Sequence, residues 1–256
     1  TPQTRYDMAS FKASARLLDE GVGAVLQALE ANGLAANTLV ISTTDHGVAF
    51  PAMKCNLTDF GMGVSMILRG PGVFSGGKVC DAMVSHLDLF PTLCDLLEIE
   101  HPRWLEGTSF LPALRGEKQE VRSELFSEVT FHASYEPMRA VRTQRWKYIK
   151  RFDGRSLPVL PNCDDGPSKS LWVEYGWRRR PIVEEQLFDL IFDPNETRNL
   201  AADPTQHDVL AEMQGRLERW MKTTHDPLLA GPVKAPPGAV VNDPDGLSPK
   251  ERPRPA

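Results

Sequence analysis

The alternation of apolar and polar positions divides the chain into two textures. In residues 7–32, Phe11, Ala15, Leu18, Val22, Val25, Leu26 and Leu29 recur at steps of three and four, the period of one helical face. Gly21 and Gly23 weaken that helix, which close packing on a sheet would rationalise. Asn32-Gly33 supplies a left-handed stop. Leu39-Val40-Ile41 then predicts a buried strand, and helix, turn and strand together make an α/β unit. Residues 64–68 predict a second strand, closed by the turn Gly70-Pro71-Gly72, and 78–84 a shorter third. Residues 85–99 predict a helix capped by Ser85 or Asp88, with Pro91 confined to its first turn and Leu87, Phe90, Leu93, Leu96 and Leu97 on its apolar face. His86 is expected to cap this helix or pack beneath it.

The texture changes near Val121. Residues 125–129 read as a strand, and 138–152 as a hairpin turning at Thr143-Gln144. Its alternating apolar and basic positions suit a sheet with one wet face. Residues 186–189 predict another strand, Asp193 to Glu196 a turn, and 204–223 a helix with Val209, Leu210, Met213, Leu217, Trp220 and Met221 on one side. Residues 227–256 are dense in proline and predict an irregular tail, wrapped on the surface or partly without fixed structure. The expected fold class is therefore α/β, with an α/β layer over 1–120, a small antiparallel-sheet-plus-helix subdomain over 121–226 and the tail over 227–256. About three strands are few for a doubly wound sheet, so the layer is expected to be the C-terminal part of a larger domain.

Composition narrows the function. With 41% hydrophobic and 25% charged residues the chain has the make-up of a soluble globular protein. A net charge of −5 argues against a nucleic-acid footprint, and no apolar run approaches the roughly 20 residues of a membrane helix. The basic clusters at Arg178-Arg179-Arg180 and along 139–151 could meet an anionic substrate or form solvated faces. Cys55, Cys80, Cys94 and Cys163 show no C-x-x-C spacing, which removes a zinc ribbon and leaves any Cys80–Cys94 bridge undecided. Asn56-Leu57-Thr58 and Asn195-Glu196-Thr197 fit the glycosylation sequon.

The chemistry-bearing stretch is 38–54. Its apolar strand runs into Asp45-His46-Gly47, at the strand end where open α/β sheets gather ligands. A carboxylate beside an imidazole is half a site for a divalent cation. The plain alternative is an Asp that caps the next turn and a His bonded to a backbone carbonyl. Lys54 follows on the same loop, where a solvated lysine is the plain reading.

Several segments in order resemble the sulfatase family of the alkaline-phosphatase-like superfamily. They are NTLVISTTDHG (37–47), ILRGPG (67–72), VSHLDLFPTLCDLL (84–97), AVRTQRWKYIKRF (140–152) and QLFDLIFDPNETRNLAADP (186–204). DHGVAFPAMKCNL (45–57), SEVTFHASYEPMRAVR (127–142) and THDPLLAGP (224–232) look most like the N-sulfoglucosamine sulfohydrolases, the sulfamidases. The resemblance implies an α/β/α sandwich with the small sheet appended. It implies hydrolysis of a sulfate ester or sulfamate on a sulfated sugar, in a periplasmic, secreted or lysosomal-type compartment. A homodimer is compatible with it, and neither nucleic acid nor membrane is an expected partner.

By the same resemblance Asp45 and His46 are metal ligands, Lys54 touches the sulfate group as a catalytic and substrate-binding residue, and His132 faces the sugar with Glu128 as a weaker candidate. The cation implied is Ca2+. His46 stands where sulfamidases tend to have Asn, however, and an imidazole admits Mn2+ or Zn2+. The family nucleophile is a formylglycine made in C/S-x-P-x-R, a motif this chain lacks; Ser156-Leu157-Pro158-Val159-Leu160 comes near but has Leu in the Arg position. The nucleophile and the first pair of metal aspartates are expected upstream. The alternatives are a metal phosphodiesterase or phosphonate hydrolase of the same superfamily, and a non-catalytic truncated polypeptide.

Overall fold

The computed structural model describes residues 1–255; Ala256, the end of the expected tail, lies outside them. The main elements are α1 (Pro2–Ala31), β1 (Val40–Thr43), α2 (Asp59–Met62), β2 (Met66–Arg69), α3 (Leu89–Leu97), α4 (Leu111–Leu114), β3 (Leu125–Phe131), β4 (Tyr135–Arg142), β5 (Trp146–Arg151), α5 (Pro167–Glu174), β6 (Glu185–Asp189), α6 (His207–Thr223), β7 (Val240–Val241) and β8 (Arg254–Pro255). They form two compact units. One contains Thr1–Leu18, Thr44–Val64 and the chain from Phe126; the other contains Asp19–Thr43 and Ser65–Leu125. Among the described residues no helix is long and apolar enough to cross a membrane.

In the unit of 19–43 and 65–125, β1 and β2 pair antiparallel, with Val40 opposite Arg69 and Thr43 opposite Met66. β1 is half-buried rather than buried, because β2 is its one sheet neighbour among the described residues. The expected third strand is absent there: Gly76 and Gly77, at φ 93° and 62°, turn the chain just before it and 78–84 is irregular. The helix expected from 85 begins as a tight turn and continues as α3. Ser85 Oγ accepts from Leu87 N at 3.4 Å, and Asp88 Oδ2 accepts from Ser85 N at 2.7 Å, a reciprocal cap. Asp88, fully buried, also accepts from Thr108 N and from Arg122. Capping thus falls to Ser85 and Asp88, while His86 Nε2 lies 2.7 Å from Thr43 Oγ1. No residue of α1 is buried, and Cβ atoms on Gly21 or Gly23 would meet nothing within 4 Å, so among the described residues no sheet lies against those glycines.

The other unit is built on a sheet ordered β3-β4-β5-β6. Val141 pairs with Tyr148 and Ala140 with Ile149, so successive pairs point to opposite faces. Val141, Tyr148 and Leu187 pack on Met213, Leu217 and Met221 of α6. Met138, Ala140, Ile149 and Phe188 pack on Leu57 of the loop 44–64. Both faces are therefore covered, and the expected wet face is corrected: Arg139, Lys147 and Arg151 are buried. Carboxylates take the place of water. Arg139 Nε meets Asp226 Oδ2 at 2.5 Å, Arg151 Nη2 meets Glu136 Oε1 at 2.7 Å, and Lys147 Nζ is held by Asp59 and, at 3.0 Å, Glu196 Oε1.

Two features here are not foreseen from the pattern. One is α5, whose Ser168 N donates to Asp7 of α1 at 2.9 Å. The other is the pairing of β7 with β8 inside a tail that follows the surface-wrapped alternative, with Leu228 buried and Asn242 N donating to Ala133 O at 2.7 Å.

Asp226 caps the turn 227–229 and neutralises Arg139. Asp226→Ala is expected to lower the unfolding free energy by about 3–5 kcal/mol, because it strands a buried guanidinium. Urea unfolding measures this; a loss under about 1 kcal/mol would mean that Glu128 and nearby carbonyls satisfy Arg139 without Asp226.

Candidate functional site

The loop 44–64 folds back on itself by backbone contacts. Gly47 N donates to Gly61 O at 2.9 Å, Val48 N to Phe60 O at 3.0 Å, and Lys54 N to Val48 O at 3.0 Å. A Cβ on Gly47 would overlap the Phe60 carbonyl, and one on Gly61 would overlap the carbonyls of Met53 and Asn56. Both glycines are required by close approach rather than by backbone angle. Ala52 and Cys55, at φ 61° and 65°, take left-handed conformations on either side of Lys54.

The far end of the loop is clamped by charge. Asp59 accepts from Arg142 Nε and Nη2 at 3.1 Å and from Lys147, while its own N donates to Glu196 Oε2 at 2.5 Å. Burial opposes ionisation of Asp59, but Arg142 and Lys147 outweigh it and hold the carboxyl below the usual range. For Glu196 burial prevails and the carboxyl is pushed up.

On this frame the expected site residues fall as follows. Asp45 is 90% exposed and His46 39% in their side chains, with Asp45 Oδ2 3.7 Å from His46 Nε2. His46 Nδ1 lies 2.7 Å from Gly47 O. A carbonyl can only accept, so Nδ1 donates to it and turns Nε2 toward Asp45; in the neutral ring that Nε2 holds the lone pair a metal-binding histidine uses. The carbonyl-bonded reading and the ligand reading are therefore compatible.

Lys54 Nζ donates to Asp164 Oδ2 at 2.9 Å. That hydrogen bond, more than the opposing burial, raises the lysine's pKa and keeps it charged. The His132 ring is pushed below its ordinary value by burial first, then by the charges of Lys54 and His46, with Asp164 acting in the other direction. His46, Lys54, His132 and Asp164 thus lie within electrostatic reach of one another, and Asp45 acts on Lys54. Glu128 is turned to Arg139 instead, at 3.2 Å. Sequence reasoning missed Asp164, which lies 110 residues from its lysine in the chain; Asp164-Asp165 carries no local signal beyond a pair of acids.

A divalent cation can be tested against these donors. Among the described residues no three His, Cys, Asp or Glu side chains converge to hold a metal. Asp45 and His46 fit as two ligands of a hard or borderline cation, short of the six to eight that calcium takes. Burial pushes Cys55 and Cys163, the two cysteines nearest Lys54 and Asp164 in the chain, up to about 11 and leaves both as thiols at neutral pH.

The sulfatase family model matches residues 2–99, and the model described as N-sulphoglucosamine sulphohydrolase, C-terminal, matches 54–165. This chain belongs to the sulfatase family. The human N-sulphoglucosamine sulphohydrolase is 31% identical over 91% of this chain and 51% of its own length. A solved structure described as a 2-O GAG sulfatase superposes with a TM-score of 0.71 at 29% identity, covering 90% of this chain and 46% of the other. The phosphonate monoester hydrolase of Agrobacterium radiobacter superposes at 0.59 with 25% identity, covering 86% and 43%. This sulfatase-family chain spans about half the length of the curated relatives it matches. The family fold is the alkaline-phosphatase-like one, and the family uses a divalent metal and a formylglycine. The sulfatase match spans Asp45, His46 and Lys54; the second spans Lys54, His132 and Asp164.

Two outcomes follow for the loop of this sulfatase-family chain. Gly47→Ala must open the contact with Phe60, and is expected to destabilise the protein by about 2–4 kcal/mol, read by thermal unfolding against wild type. The His132 ring is expected to titrate below 6.5 when followed by NMR, and Lys54→Ala should raise its midpoint. Above 6.5 the ring is neutral folded and unfolded, and stability does not depend on it. As pH falls toward the depressed folded value the unfolded chain takes up the proton first, so stability is lost in that window. A midpoint at or above 6.5 would mean that Asp164 outweighs burial and Lys54 at this ring.

Proposed function

We propose that the whole protein hydrolyses a sulfate ester or sulfamate on a sulfated sugar, with N-sulfoglucosamine of a heparan-type glycan as the favoured substrate. The observation that carries this reading is the grouping of Asp45, His46, Lys54 and His132 around one self-packed loop. Asp45 through its carboxylate and His46 through Nε2 would hold a divalent cation, calcium first and manganese or zinc as alternatives, whose charge when bound polarises the sulfate oxygens. The nucleophile comes, in this proposal, from a part of the whole protein outside these 256 residues, since no Cys or Ser here stands in C/S-x-P-x-R.

The roles of this chain's own side chains follow from their chemistry. Lys54 has three ammonium donors and Asp164 takes one, which orients the group and leaves donors for sulfate oxygens. Charge building on those oxygens in the transition state is what an ammonium fixed in advance stabilises. His132, kept neutral by its surroundings, can donate to or accept from a sugar hydroxyl.

Full-length protein assayed on N-sulfoglucosamine and on an aryl sulfate is expected to release sulfate and to lose that activity to a chelator. Lys54→Ala is expected to reduce kcat/KM by about 10²–10³. Absence of chelator-sensitive sulfate release from both substrates would remove the proposal. The likeness to a phosphonate monoester hydrolase supports a second reading, turnover of phosphonate esters or phosphate diesters, which faster cleavage of those than of sulfates would establish.

A further inference from the structure

A buried lysine that the roles above leave unused follows Asp164 shortly in the chain. Lys169 stands in the first turn of α5, and its side chain is 6% exposed. The first turn of a helix disfavours a cation, because the aligned peptide dipoles place positive charge there. Burial of an ammonium adds a cost that only close partners offset. Neither effect favours a lysine here for the sake of α5; its partners lie on the turn that carries Asp164. Nζ donates to Cys163 O at 2.6 Å and to Asp165 Oδ1 at 2.9 Å. Those two residues flank Asp164, the partner of Lys54.

The turn is fixed from two further sides. Asp165 Oδ2 accepts from Ser248 Oγ of the tail at 2.5 Å, so both oxygens of that carboxylate are engaged. Burial opposes ionisation of Asp165, but Ser248 and Lys169 outweigh it and hold the carboxyl below the usual range. Asn162, buried, accepts from Ser134 N at 2.7 Å and donates to Glu136 Oε2 at 2.8 Å. It ties the start of the turn to the β3–β4 connection that carries His132. Of the two adjacent acids, the one that Lys169 and Ser248 do not take is the one set against Lys54. We infer that Lys169 is a positioning residue for Lys54, acting through Asp164: by holding Asp165 and the Cys163 carbonyl it presents Asp164 to the Lys54 ammonium. The inference rests on the reading of Lys54 given above and adds a residue that acts at one remove from the sulfate.

The test uses full-length protein labelled in its histidine rings. The NMR midpoint of His132 is the readout, because Asp164 raises that midpoint and Lys54 lowers it. Asp164→Asn sets the scale by removing the charge outright. Lys169→Met is expected to lower the midpoint as Asp164→Asn does, since a turn released from the ammonium lets Asp164 withdraw. Added to Asp164→Asn it is expected to shift the midpoint no further, as for two residues that act through one carboxylate. Asp165→Asn, at an exposed position, cuts the same link from the other side and is expected to shift the midpoint the same way. It decides the matter if far-UV circular dichroism shows Lys169→Met unfolded. A midpoint unchanged in the folded variants overturns the inference, and so does a Lys169→Met shift that persists in full beside Asp164→Asn. In the sulfate-release assay Lys169→Met is expected to lower kcat/KM by up to about 10²-fold, the scale of a misplaced group; an active enzyme with unchanged kcat/KM also overturns it. A shifted midpoint in a protein that releases no sulfate from any substrate keeps the link from Lys169 to Asp164 and removes the catalytic reading of Lys54.

Discussion

A lysine ammonium with no exposure to water governs the position of the chemistry-bearing loop. Lys147 leaves β5 on the face opposite α6 and ends between Asp59 of the loop and Glu196 of the turn after β6. Removing a charge from water is expensive unless opposite charges and hydrogen bonds replace the solvent. The segment bearing Asp59 cannot drift from the sheet without exposing or stranding that ammonium. Apolar packing alone would hold it less firmly, since Leu57 is the one fully buried apolar residue that the loop gives to this side of the core. At its near end the loop is held by the Gly47–Gly61 approach, so Lys54 lies between a steric lock and an electrostatic one.

The two lysines that flank this arrangement differ in what can displace their partners. Lys54 is matched to Asp164, whose side chain is 45% exposed, and an ion pair of that kind contributes about 0.2–1 kcal/mol. Lys147 has partners it cannot exchange, because breaking a buried pair costs about 3–5 kcal/mol. An incoming oxyanion can therefore share or take the donors of Lys54 and leave Lys147 untouched. One sheet face thus supplies a fixed cation for structure, and its covering loop supplies an exchangeable one, which the proposed reading assigns to the sulfate.

Much of this was legible in the residues. The hairpin of β4 and β5, the long α6, the Ser85–Asp88 cap and the break of β1 into Asp45-His46-Gly47 all rest on local rules of period, capping and turn, which act within a few residues. What was not legible depends on partners distant in sequence. The mixing of basic with apolar positions along 139–151 is the pattern of a half-wet sheet, and only the arrival of Asp226, Asp59 and Glu136 beside Arg139, Lys147 and Arg151 makes a dry, charged interior affordable. Asp164 is invisible beside Asp165 until the fold brings it to Lys54. Residues 78–84 have strand-like composition, but a strand needs a neighbour, and the left-handed glycines before them lead the chain away from one.

The charge count at the proposed site bears on which oxyanion it suits. Lys54 and Asp164 cancel, His132 is held neutral by burial first and then by the Lys54 ammonium, and Asp45 is reserved for a metal in the proposed reading. This chain thus brings orientation and hydrogen-bond donors, but little net positive charge, to the transferred group. A sulfate ester, a sulfamate, a phosphate diester and a phosphonate monoester each carry one negative charge and make a modest demand of that kind, whereas a phosphate monoester near neutral pH carries close to two. Two charges in a partly desolvated cleft call for more cationic groups than Lys54 alone, since the penalty for an unbalanced charge grows as water is excluded. In the proposed reading Asp164 orients Lys54 without taking all of its donors, and the bound cation supplies the rest of the positive charge.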